Sequence, residues 1–157
     1  MKKVYVVLLV LCFGIISASG QEKKKEKWNV ADPEGNWDFK ELKLTTDEGT
    51  WMNLDVSPDG KQIFFDLLGD IYSIPVEGCQ SKVLRTGLPF EIQPRFSPDG
   101  KKILFTSDAG GGDNIWTMNV DGSDAKQVTK ENFRLLNNGT WSGDGNYIFA
   151  RKHFTSQ

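Results

Sequence analysis

Ser97-Pro98-Asp99-Gly100-Lys101-Lys102-Ile103-Leu104-Phe105 is the stretch on which the fold turns. A Ser at the first position can hydrogen-bond the backbone ahead of it, and Pro presets φ to about −65° at the second. Asp suits the third position, and Gly takes the positive φ that closes the turn. Such a corner, opening onto Ile-Leu-Phe, joins two antiparallel strands, and a three-residue hairpin loop with Gly in the left-handed region fits it. The corner recurs upstream as Ser57-Pro58-Asp59-Gly60 and downstream as Ser142-Gly143-Asp144-Gly145, at spacings of 40 and 45 residues.

The residues around each corner repeat as well. A first strand precedes it, at Met52 to Val56, Ile92 to Phe96 and Asn137 to Trp141. A second follows, at Lys61–Phe65, Lys101–Phe105 and Asn146–Ala150. Two copies continue into a third run, Asp70–Ile74 or Asn114–Met118. After Glu77-Gly78 or Asp121-Gly122 comes a fourth, Lys82–Thr86 or Lys126–Thr129. Short strands in groups of four, with a period near 40 residues, are the mark of β-propeller blades. No amphipathic helical pattern of useful length follows residue 20. The expected fold is therefore all-β: an incomplete propeller of four-stranded antiparallel blades at about 50–86, 90–129 and 135–157, the last one partial. Glu41-Leu42-Lys43-Leu44-Thr45 reads as a lone outer strand ahead of blade one. Thr45, Thr86 and Thr129 stand at similar distances before the three corners. A closed propeller needs about four to eight blades, so this chain is expected to be a fragment, or to close with the remaining blades or other chains. Gly139 and Gly143 weaken the third copy of the pattern, which is expected to pack more loosely.

The segment before the repeats has another purpose. Lys2 and Lys3 precede the apolar run Val4 to Ile16, and Ser17-Ala18-Ser19-Gly20 follows. This is the layout of a secretory signal peptide over residues 1–20, cleaved between Gly20 and Gln21, and it places the mature protein in the periplasm or outside the cell. The run is too short for a stable membrane span. Residues 21–40, with Lys23-Lys24-Lys25-Glu26-Lys27, form a charged, solvated leader pinned by Trp28 or Trp37. The formal net charge of −2, made two units more acidic by cleavage, argues against a nucleic-acid partner. Cys79 would be the one cysteine left, so no internal disulfide is expected.

Asp55-Val56-Ser57-Pro58-Asp59-Gly60-Lys61, Pro94 to Asp108, Asp113 to Ser123 and Gln127-Val128-Thr129 together resemble the TolB-type propeller repeat over roughly residues 41–152. Four further segments, Thr45–Met52, Phe65–Tyr72, Gly110–Trp116 and Ala150–Ser156, look like the N-terminal propeller of exported bacterial amidohydrolase-related proteins. That resemblance implies a downstream metal-dependent hydrolase barrel, which would hold a divalent metal; its ligands are not in this chain. It also implies a propeller that gates substrate or binds a protein. TolB itself, an envelope protein-interaction propeller, is one alternative, and the propeller of a prolyl oligopeptidase-like peptidase is another.

The chain offers little chemistry of its own. His153 is the one histidine, so neither a triad nor a two-histidine metal site can be drawn, and no catalytic residue, metal ligand or cofactor site is expected. Gly110-Gly111-Gly112 lacks the Lys-Ser/Thr of a phosphate loop and reads as a flexible connection. The corner residues Ser57, Pro58, Asp59, Gly60, Ser97, Pro98, Asp99, Gly100, Ser142, Asp144 and Gly145 read as structural. Asp70, Asp108 and Asp113 sit where blade loops would meet a substrate or partner. Trp51, Trp116 and Trp141 are expected in blade cores or between blades.

Overall fold

Each corner closes on itself before its strands begin. In the computed structural model, which describes Val30, Lys40 and residues 43–133 and 135–154, the Gly60 N–H donates to the Ser57 carbonyl at 2.8 Å, with Gly60 at φ 72°. The Ser57 hydroxyl donates to Asp59 Oδ1 at 2.6 Å, and the same oxygen accepts the Lys61 N–H at 3.1 Å. Ser57 Oγ in turn accepts the Gln62 N–H at 2.9 Å. The same bonds recur at Ser97–Lys102 and Ser142–Tyr147. The loop is one residue longer than a three-residue hairpin, because Ser57 pairs with Gln62 rather than with Lys61. The Lys61 carbonyl instead accepts the Val76 N–H at 3.0 Å, which draws Lys61 out of the first ladder.

Ten strands follow among the described residues: β1 (Leu54–Val56), β2 (Gln62–Leu67), β3 (Asp70–Pro75), β4 (Lys82–Arg85), β5 (Glu91–Phe96), β6 (Lys102–Ser107), β7 (Asn114–Asn119), β8 (Lys126–Gln127), β9 (Leu136–Trp141) and β10 (Ile148–Lys152). They form antiparallel sheets in the orders β1-β2-β3-β4, β5-β6-β7-β8 and β9-β10. The chain is thus an all-β, incomplete β-propeller, as the repeat predicts. β8 is shorter than expected because the Val128 and Thr129 N–H groups both turn onto the Ile115 carbonyl, while Thr129 Oγ1 takes the Ile115 N–H at 2.9 Å. Residues 43–45 of the expected outer strand carry no strand pairing. An outer strand exists only against a neighbour, and none of the described sheets supplies one. The signal segment 1–20, the leader apart from Val30 and Lys40, and Glu41-Leu42 lie outside the described residues.

The sheets stack face to face. Alternation along β2 turns Phe64 and Asp66 toward the second sheet, where Phe64 meets Phe96 with ring centroids 4.5 Å apart. Ile71, Ile103, Phe105 and Met118 complete this core, each with no accessible surface. Leu104 and Ile115 turn the other way, onto the third sheet. There Gly139 is buried, and a Cβ added to it would lie 2.7 Å from Leu104 Cδ2. The missing side chain lets the third sheet approach closely, so the expected loosening at this residue is not what the packing shows.

The inner strands also lock the stack through their bulges. In β5 the register slips between Ile92 and Arg95, with Gln93 at φ 61° and the buried Pro94 at the bulge, where the absent N–H costs no ladder bond. The Gln93 N–H, released from its own sheet, donates to Asp66 Oδ2 of blade one at 2.6 Å. The device repeats one blade on: β9 carries a bulge at Asn138 (φ 52°), whose N–H donates to Gln93 Oε1 at 2.7 Å. Gln93 Nε2 returns a bond to Asn138 Oδ1 at 3.0 Å. The corners line up as well: a Cβ at Gly100 would sit 3.5 Å from Pro58 Cδ, and one at Gly145 3.6 Å from Pro98 Cδ.

Two substitutions test this account. Asp66→Ala strands three N–H donors, those of Asn53 N, Asn53 Nδ2 and Gln93, and should cost about 3 kcal/mol. Gly139→Val should cost about 2 kcal/mol by overpacking against Leu104. Urea midpoints at constant m-value measure both, and an unchanged midpoint for either contradicts the stacking described.

Candidate functional site

Antiparallel order puts the β2–β3 and β6–β7 turns at the end of the stack opposite the Ser-x-Asp-Gly corners. The β4–β5 and β8–β9 connections share that end. Its loops are tied to one another. Phe90, leading into β5, covers the β2–β3 turn so closely that a Cβ on Gly69 would lie 2.6 Å from its ring. The Glu91 N–H donates to the Gly69 carbonyl at 2.8 Å, and the Phe90 N–H to Asp108 Oδ1 at 2.8 Å. Glu91, 2% exposed, is gripped by Arg85 through two bonds of 2.7 and 3.0 Å. Asn114 joins the β6–β7 loop to the β8–β9 connection through Thr129 Oγ1, the Glu131 N–H and the Glu131 carbonyl. Glu131 pairs with Lys152, and the His153 N–H reaches the Leu135 carbonyl at 3.1 Å.

On this tied platform stand apolar side chains that the core does not use: Leu68, Leu88, Phe90 and Leu135 are all exposed. Leu68 is the most instructive. It is 77% exposed and sits at φ 55°, followed by Gly69 at φ 89°, in a two-residue turn that favours Asn-Gly. A Leu there bears backbone strain of about 1 kcal/mol and gains no burial in return. Strain held at an exposed loop tip points to function.

The predicted loop residues have defined places at this end. Asp70 accepts from the Thr86 hydroxyl at 3.2 Å and Tyr72 at 3.4 Å, a staple between β3 and β4 that Asn114 and Thr129 repeat between β7 and β8. Asp108 holds Phe90. The Asp113 carboxylate has no hydrogen-bond partner among the described residues; burial, and then the neighbouring Asp108, push its pKa up. The corner carboxylates Asp59, Asp99 and Asp144 are pulled below the usual range, chiefly by the hydroxyls of Ser57, Ser97 and Ser142. In Gly110–Gly112, a Cβ on Gly110 would meet the Gln127 amide at 2.7 Å, while Gly111 is exposed at φ 90°. Trp116 packs on the core and Trp141 Nε1 donates to the Arg95 carbonyl at 3.3 Å, but Trp51 is fully exposed. It precedes β1, and none of the described sheets lies over it.

Among the described residues no group of three or more His, Cys, Asp or Glu could hold a metal ion, and no helix is long and apolar enough to cross a membrane. Sequence reasoning missed Asn53, Asp66, Arg85, Glu91 and Gln93. Asp66 left one signal, a charge in step with Phe64 on the buried alternation.

Residues 43–156 match the family described as TolB beta propeller domain. The Tol-Pal system protein TolB of Wolinella succinogenes is 30% identical over 110 residues, covering 68% of this chain and 26% of the relative. The structure of a putative TolB from Agrobacterium tumefaciens superposes with a TM-score of 0.61 at 27% identity, covering 68% of this chain and 40% of that one. TolB from Acinetobacter baumannii gives 0.55 at 29% identity, with 68% and 27% covered. The chain matches between 13% and 26% of the length of these curated relatives.

The acids make opposite pH demands. A carboxyl whose folded pKa is raised loses stability as pH rises through that value, so Asp113→Asn should raise the unfolding midpoint at pH 7 and leave it unchanged at pH 3. The corner carboxylates, with lowered values, contribute stability above the ordinary carboxylate pKa and lose it as pH falls through the lowered one. Asp99→Asn should therefore flatten the acid limb below about pH 4. Thermal melts between pH 2 and 8 check both signs.

Proposed function

We propose, on the premise that this chain belongs to the TolB β-propeller domain family, that it is an exported recognition module which binds a protein partner through its loop end. The observation that carries the reading is Leu68, strained at φ 55° and 77% exposed on a turn whose neighbours are tightly tied. Leu88, Phe90 and Leu135 extend the apolar surface beside it. A rigid platform bearing apolar anchors loses little entropy on binding, which suits a protein interface. The matches to Tol-Pal system proteins support an envelope partner, and the signal-peptide layout of residues 1–20 supports export.

Catalysis, in this reading, belongs to a domain downstream of the propeller, a metal-dependent amidohydrolase barrel that holds the divalent metal. The four segments resembling exported amidohydrolase-related proteins support it. Reading the gene past codon 157 tests it: a His-x-His pattern agrees, and a Gly-x-Ser-x-Gly elbow assigns the module to a peptidase instead.

Leu68→Asn separates the two roles of the turn. Asn suits the left-handed conformation, so the variant should gain about 1 kcal/mol in stability. It should also lose the partner that the unaltered chain retains from an envelope fraction. Equal retention by both proteins rules out the loop end as the interface.

A further inference from the structure

A groove of about 490 Å³ opens between blades one and two on the corner side of the stack. Phe64, Leu84 and Phe96 make its apolar walls. Its polar face is a cross-strand row: Phe64 pairs with Ser73, and Ser73 with Lys82. Ser73 is 8% exposed and lines the groove, and its hydroxyl has no hydrogen-bond partner among the described residues. The Ser73 hydroxyl opens onto the groove, where it is free to donate to an oxygen of a bound molecule.

Blade two carries the corresponding row, Leu104–Thr117–Lys126. There Lys126 is occupied by Asp124, Nζ to Oδ2 at 2.9 Å. Two residues before Lys82 the chain has Gln80 in place of an acid, and Lys82 forms no ion pair among the described residues. The rim acids do not take its place. Asp59 and Asp99 each spend Oδ1 on their own corner, and the other oxygen of Asp99 faces Lys101 at 3.9 Å. Asp121 lies within Coulomb range of Lys82 without bonding to it.

We infer that this groove binds a small amphiphile with an apolar body and one carboxylate. The body lies against Phe64, Leu84 and Phe96, and the head accepts from the Ser73 hydroxyl and the Lys82 ammonium. The volume lies in the range of small-molecule sites.

Octanoate, below its micellar concentration, is the probe, with octylamine as its counterpart. Added to the folded chain, octanoate should give saturable amide shifts at Ser73, Lys82 and Val120, and octylamine should bind more weakly. Lys82→Gln should weaken octanoate about tenfold, the loss of one charge-assisted hydrogen bond. Gln80→Asp, which recreates the blade-two pair, should weaken it similarly while leaving the fold intact. Lys126→Gln should change nothing. The absence of saturable shifts, octylamine binding as tightly as octanoate, or unaltered affinity in both Lys82→Gln and Gln80→Asp each overturns the assignment.

Discussion

The stack rests on what happens to one N–H group per inner strand. A bulge at Gln93 or Asn138 removes that group from its own ladder and turns it toward the neighbouring blade. Each is met by a side chain of the preceding blade, Asp66 for Gln93 and Gln93 for Asn138. Hydrophobic faces alone tolerate sliding, since burial is not directional. A hydrogen bond of 2.6 or 2.7 Å between sheets does not, so blade registry follows from these two contacts. The buried Asp66 side chain accepts from three N–H donors, two of Asn53 and one of Gln93.

The corner chemistry serves two levels of structure at once. Within a blade, Ser-x-Asp-Gly saturates its own polar groups, so the hairpin needs little from its surroundings. Between blades, Pro58 faces Gly100 and Pro98 faces Gly145. The Gly that permits a left-handed turn is therefore also the residue that admits the neighbouring Pro ring. Gly143 breaks the file, with no atom within 4 Å of the place a Cβ would take. The opposite end of the stack is built differently. Its loops hold apolar residues outward, and their backbones are fastened through Asp108, Asn114 and Glu131. The loop end thus exposes apolar side chains, while the corner end carries the Pro–Gly contacts between blades.

One face of blade one is covered by none of the described sheets. Leu54, Val56 and Val83 are exposed on it, beside Phe65 and Tyr72, which stack with centroids 5.4 Å apart. An apolar sheet face of this kind is where a further layer packs in a propeller. Blade one also differs in its polar detail: the Asn53 N–H is already met by Asp66 within its own sheet, so that face asks a neighbour for apolar cover and not for an acceptor.

Spacing and turn chemistry in the chain were enough to specify the blades, because a corner such as Ser97–Gly100 is decided by its own four residues and the alternation beside it. The same local logic placed Thr86 and Thr129 at equivalent positions. It did not extend to Asp66, Gln93 and Gly139, which meet partners one blade away, or to the Arg85–Glu91 pair that links neighbouring sheets. Nor did it separate Lys82 from Lys126, or Trp51 from Trp141, since what covers a side chain depends on the sheet stacked above it. Local hydrogen bonding is written in short stretches of residues, whereas cross-blade contacts join positions that only the stacking of whole sheets brings within reach.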